Sequence, residues 1–95
     1  MQVQLDLNAP QFQQGLLALD TTQANAVLRT LRKLHTMQWA EVTTDHGLKW
    51  ERIKGRADRY SIRLTLQARA VVTRHDEQMR FEALHFDHDS AYGKK

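Results

Sequence analysis

Tyr60–Phe86, YSIRLTLQARAVVTRHDEQMRFEALHF, is the stretch that decides the fold. YSIRLTL alternates apolar and polar residues with a period of two, the pattern of a half-buried strand. Tyr60, Ile62, Leu64 and Leu66 are expected on one face, and Ser61, Arg63 and Thr65 on the other. RAVVT begins the next strand after a short turn, and MRFEALHF follows through the polar turn RHDEQ. Consecutive strands joined by short turns pair antiparallel. Arg69, early on the second of these strands, is then expected close to Arg63 across the pair.

Upstream, LKWERI reads as another strand and KGRAD as a basic turn, while residues 40–47 (AEVTTDHG) read as a connection. Val27, Leu28, Leu31 and Leu34 recur at the spacing of one helical stripe, predicting a helix that runs to about Met37. Arg29, Arg32 and Lys33 lie on its other side and near its C-terminal end, where cations suit the macrodipole. Asp20, Thr21 and Thr22 break and recap the chain before it. An earlier helix, capped by Asn8 with Pro10 in its first turn, runs to about Leu19 with Phe12, Leu16 and Leu19 on one face. Val3, Leu5 and Leu7 alternate as an N-terminal strand. The expected fold is α+β, β-α-α-β-β-β, with two N-terminal helices packed on one face of a mainly antiparallel four-stranded sheet. The opposite face, which carries Arg63, is expected to stay at least partly open.

Ninety-five residues make one domain, spanning 1–95, with a single modest core. With no cysteine, no disulfide or thiolate metal site is possible, in keeping with a reducing compartment. The start MQVQLDLN lacks the basic and apolar regions of a signal peptide, and no apolar run is long enough to span a membrane. The expected location is therefore cytoplasmic. The net charge of +3 is unevenly spread. Residues 1–28 hold no Lys or Arg, whereas residues 48–80 hold nine against four acids. A polyanionic partner fits this second half, although antiparallel sheets also carry Arg and Lys on a solvent face for no other reason.

Arginine keeps its charge, and its planar fork matches two phosphate oxygens at once. Arg63 and Arg69 can flank one phosphate and stabilise charge that grows at phosphorus. The plain alternative is cross-strand pairing with Glu51 or Glu82. Beyond the last strand the tail carries His85, His88, Tyr92, Lys94 and Lys95. Imidazole is the side chain that changes charge nearest neutral pH. RNA is cut without a metal when its 2′-oxygen attacks the adjacent phosphorus, which needs a base at the 2′-OH and an acid at the leaving 5′-oxygen. A His between Asp87 and Asp89 is biased toward its protonated form and suits the acid. Tyr92 serves as a base only if nearby cations such as Arg69, Lys94 or Lys95 favour its ionised form. His85, Asp87, His88 and Asp89 have metal-ligand chemistry, but no matching Cys or His pattern accompanies them, so no metal or other cofactor is expected. Lys49, Arg52, Lys54, Arg56 and Arg59, with His85, Lys94 and Lys95, are the candidate RNA-binding residues. Trp39, Trp50, Tyr60, Phe81 and Phe86 have the surfaces to stack on bases; alternation favours the core for Tyr60 and Phe81.

The strand YSIRLT, the following RAVV, the ending LHFDHDSAY and the order of elements resemble the RelE/ParE superfamily of toxins from bacterial toxin–antitoxin modules. The resemblance is best over residues 48–92. It implies a toxin neutralised by a cognate antitoxin. In the RelE-like branch it implies an endoribonuclease that cuts messenger RNA in the ribosomal A site. The basic residue that the family places after the basic turn matches Arg63, and the early Arg of the next strand matches Arg69. His88 and Tyr92 approximate the family's basic or His residue followed by Tyr, and Glu51 matches the strand carboxylate that acts as base in some relatives. In that scheme Arg63 and Arg69 hold the phosphate, His88 is the acid, Tyr92 or Glu51 the base, and Lys94 and Lys95 give electrostatic support. Ser61 stands where some members carry Lys, the tail is acidic around His88, and no C-terminal helix follows Tyr92. The ParE-like branch, which inhibits DNA gyrase without this nuclease set, is the alternative, and a small RNA-binding domain with no activity is a third.

Overall fold

The computed structural model describes residues 1–86. Its elements run β1 (Gln4–Asp6), α1 (Pro10–Leu17), α2 (Thr21–His35), α3 (Trp39–Thr44), β2 (Glu51–Arg52), β3 (Arg59–Arg63), β4 (Ala68–His75) and β5 (Gln78–Phe86). The strands form one five-stranded sheet in the order β1-β5-β4-β3-β2, not the four-stranded sheet expected. The sheet is mixed: β2, β3, β4 and β5 pair antiparallel in sequence, while β1 lies parallel to β5, with Gln4 opposite Gln78. A parallel neighbour requires a crossover, and the helices that follow β1 provide it.

Further expectations are corrected. Residues 40–47 are not simply a connection, because Gln38 and Glu41 form a reciprocal capping box that starts α3. LKWERI contributes only Glu51 and Arg52 to the sheet; Leu48 instead drops into the core, and its carbonyl accepts the Arg63 N–H at 2.7 Å. Strand β3 ends at Arg63, so Leu66 lies in the following turn and is exposed. At the helix ends, α1 stops at Leu17 and α2 at His35 rather than Leu19 and Met37. The N-cap of α1 is Ala9, and the Asn8 amide donates to Asp6 instead. Asp20 does recap the chain: its carboxylate accepts the Gln23 N–H at 2.8 Å while the Gln23 side chain accepts from the Asp20 N–H. Of the α2 stripe, Val27, Leu31 and Leu34 are buried and Leu28 is exposed.

The core fills the space between the helices and one face of the sheet. Phe12 of α1 meets Phe81 of β5 with ring centroids 5.1 Å apart, and Ile62, Val72 and Met79 close around them. Gly15 lets α1 approach β5, since a Cβ there would sit 3.1 Å from the Leu84 Cβ. A bulge opposite Val71 and Val72 leaves Glu82 without a strand partner. That extra residue resets the alternation, so Met79 and Phe81 share the core face with Leu84 although their sequence parity differs. Trp39, Trp50 and Tyr60 continue this packing toward the β2 edge: Trp50 stacks on Tyr60 at 4.5 Å, Trp39 meets Trp50 edge-on at 5.5 Å, and the Arg74 guanidinium lies 3.9 Å from the Trp39 ring centroid. These rings pack on one another and on the core, as does Phe86, so the aromatic candidates for base stacking serve the fold.

Candidate nucleic-acid interface

The open face of the sheet is built from the alternate residues of the same strands. Strand register sorts them into three cross-strand rows. Arg63, Arg69 and His85 form the first. Glu51, Ser61, Val71 and Ala83 form the second. Arg59, Thr73 and Arg80 form the third. Successive rows are about 6.6 Å apart, two strand residues.

Hydrogen bonding fixes how closely the first row is packed. The Arg63 N–H points away from β4 to the Leu48 carbonyl. Arg63 and Arg69 are therefore a non-hydrogen-bonded antiparallel pair, the type in which Cα atoms lie about 4.5 Å apart and side chains come closest. Like charges placed directly opposite cost about 0.2–1 kcal/mol relative to neutral pairs. No ion pair of either arginine among the described residues offsets that cost. The ion pairs among the described residues are Lys33–Asp45 at 3.1 Å and Arg80–Glu82 at 3.3 Å. Glu82 is also held by the Thr73 hydroxyl at 3.0 Å, and Glu51 pairs with neither arginine. Cross-strand neutralisation by Glu51 or Glu82 is thus not what the two arginines do among the described residues.

Lys49, Glu51, Ser61, Arg63 and Arg69 line one small hollow of about 120 Å³. Three cations and one carboxylate around a space of this size suit a single tetrahedral anion. Lys49 reaches it from a strained position, with φ 46°. The turn before it is held by Asp45, whose carboxylate accepts the N–H groups of Gly47 at 2.8 Å and Leu48 at 3.1 Å. The hydrogen bond from Lys33 holds the Asp45 carboxyl below the usual carboxylate range; burial opposes it, and the turn N–H groups and the Lys33 charge add to it. Asp45 thus fixes Leu48, and Leu48 fixes Arg63.

A wider depression of about 550 Å³ adjoins the hollow, lined by Ile53, Ser61, Arg69, Ala70, Val71, His85 and Phe86. His85 belongs here, opposite Arg69 and one strand farther from Glu51. The remaining cations are dispersed. Arg59 lies on the open face in the third row. Arg52 pairs with Tyr60, so alternation directs it to the face opposite Glu51. Lys54 and Arg56 stand on the β2–β3 turn, where they line a separate basin of about 500 Å³ with Arg52, Ile53, Gly55 and Ala57. Gly55, at φ 79°, makes that turn. His88, Tyr92, Lys94 and Lys95 lie outside the described residues, as do Asp87 and Asp89. Among the described residues, no three His, Cys, Asp or Glu side chains come together as metal ligands, and no helix is long and apolar enough to cross a membrane.

Sequence reasoning passed over Val71 and Ile53 as part of this surface. Val71 sits next to a second valine, and only the bulge and the register with Ser61 show which of the two faces out.

No protein-family model matches the chain, and no curated protein matches its sequence. Solved structures do. The RelE of an archaeal RelE–RelB complex from Pyrococcus horikoshii OT3 is 17% identical, with a TM-score of 0.66 over 90% of this chain and 96% of that one. A chain of the Escherichia coli DinJ–YafQ toxin–antitoxin complex gives 14% identity and 0.64 over 96% and 97%. The YoeB dimer of Staphylococcus aureus gives 15% and 0.60 over 90% and 98%. At these identities the likeness is one of fold: the chain has the fold of the RelE, YoeB and YafQ toxins over nearly its whole length.

Proposed function

We propose that this chain is the toxin of a toxin–antitoxin pair and acts as an endoribonuclease on messenger RNA at the ribosome, in the cytoplasm. The observation that carries the reading is the row of Arg63 and Arg69, face to face, without a carboxylate partner among the described residues, beside Glu51 in a hollow sized for one phosphate. A scissile phosphate there removes the repulsion between the two guanidiniums and gains both forks.

The reaction follows from that placement. The 2′-oxygen bonds to the adjacent phosphorus as the bond from phosphorus to the 5′-oxygen breaks, leaving a 2′,3′-cyclic phosphate and a 5′-hydroxyl. Arg63 and Arg69 stabilise the charge that builds on the non-bridging oxygens. Glu51, on the next row and in the same hollow, takes the 2′-OH proton; Tyr92 is the other candidate base. His88 supplies the proton to the departing 5′-oxygen, and Lys94 and Lys95 add positive potential. The cations Lys49, Arg59 and, on the turn, Lys54 and Arg56 give the surface its attraction for a polyanion.

The fold likeness to toxins held in complexes with RelB and DinJ supports a protein antitoxin as partner. An acidic segment laid over the open face would desolvate and neutralise it. The test is induced expression in a bacterial host followed over time. Protein synthesis is expected to stop first and messages to be found cut, with growth restored by co-expressing the neighbouring gene. DNA breaks and the SOS response appearing first, with messages intact, would overturn the nuclease reading in favour of gyrase inhibition.

A further inference from the structure

The second row of the open face is unlike its neighbours. Past Glu51 at its β2 end, this row carries no charge at Ser61 and Val71, and Ala83 beside them is 8% exposed, so an uncharged floor runs between two rows that both bear arginine. Ile53 extends that floor, and Ser61, Arg69 and His85 rim it with hydrogen-bonding groups. An apolar patch framed by charge on a solvent face calls for an occupant that is itself flat and apolar on its faces and polar at its edge. The neighbouring hollow names that occupant's other end, since Arg69 lines both spaces.

We propose that the depression over Ser61 and Val71 is a nucleobase subsite, taking one base of the nucleotide whose phosphate rests on Arg63 and Arg69. The inference rests on the phosphate reading above and adds to it a residue-level basis for sequence preference. The base lies flat on Val71 and Ile53. The Ser61 hydroxyl and the His85 imidazole face its edge, and Arg69 spans base and phosphate. The depression is broad, about 550 Å³, and open on the sheet face, so it admits a base splayed out of a single strand and not a base locked in a duplex.

The experiment is titration of the purified chain, followed by amide NMR, with three probes: inorganic phosphate, ribose 5-phosphate and each of the four nucleoside 5′-monophosphates. At least one nucleotide is expected to bind about tenfold or more tightly than ribose 5-phosphate, the gain that one stacked base supplies. The amides of Val71 and Ala83 are expected to shift with the nucleotide alone. Val71→Trp fills the depression and should abolish the gain while leaving ribose phosphate affinity in place. Should that variant misfold, the wild-type amide shifts stand on their own. Equal affinity for nucleotide and ribose phosphate, with both lost in Arg63→Ala, overturns the base subsite and leaves the phosphate site standing. No binding of any phosphate probe removes the phosphate site and this inference with it.

Discussion

The two faces of the sheet are made by the same four antiparallel strands, yet they follow opposite rules. On the helix side every cross-strand row ends in a close contact: Ile62 beside Ala70, Val72 beside Phe81, and Phe81 against Phe12. On the open side the rows hold Arg63 beside Arg69 and Arg59 beside a Thr73 that is already satisfied by Glu82. The first face lowers the free energy of the chain by removing apolar surface from water. The second raises it slightly by holding like charges together. A sheet tolerates that local cost when the opposite face is well packed, and what the cost leaves available is positive potential at a fixed spacing.

The contrast is broken most severely from the packed side. Phe81→Ala removes a fully buried ring that meets Phe12, and is expected to cost about 3–5 kcal/mol, measured by urea unfolding. It should reduce the amount of folded protein far more than the affinity of what remains folded. From the open side, Arg69→Ala is expected to lower RNA cleavage by about 100-fold, a loss of about 2.7 kcal/mol of transition-state stabilisation. Its unfolding midpoint should stay level or rise, because the repulsion with Arg63 is relieved. Arg69→Lys should also be poor, as a point charge does not replace the fork. A large loss of stability in Arg69→Ala, or full activity, would erase the distinction between the faces. The smallest effect sharpens it at the link between them. Asp45→Asn keeps an oxygen for the Gly47 and Leu48 N–H groups but loses the charge that pairs with Lys33. The expected cost at pH 7 is about 0.5 kcal/mol. Because the folded carboxyl titrates below its unfolded value of about 3.9, this contribution is present above that pH and disappears as pH falls through the folded value. Melting curves of the two proteins should differ at neutral pH and coincide once the Asp45 carboxyl of the wild type is protonated.

How much of this could be read in the sequence depends on how local the cause is. The alternation of YSIR places Ser61 and Arg63 together on the open face, and the short turn after β3 brings Arg69 opposite Arg63. Those are period-two facts carried by adjacent residues. The capping box of Gln38 and Glu41 was equally local and signals α3, but it stands in a stretch rich in polar residues that reads as a connection. The bulge at Glu82 and the place of β1 beside β5 are different in kind. They depend on which distant segment packs where, and no pattern within β1 says that its neighbour is the last strand and not the next one. The same limit hid the Val71 depression, whose walls come from Ile53 after β2 and from β3, β4 and β5 at once.

The parallel pairing of β1 with β5 also sets an order of events. Gln4 finds its partner only at Gln78, and the Glu77 carbonyl that receives the Gln4 N–H receives the Trp39 indole as well, both at 2.9 Å. Strand β1 therefore has no sheet neighbour until nearly all of the described chain has been synthesised. The antiparallel hairpins β3–β4 and β4–β5, whose partners are close in sequence, are the segments able to form first, and β1 joins them last. The arginine pair can thus assemble with the hairpins, while the sheet that carries it closes at its β1 edge only at the end.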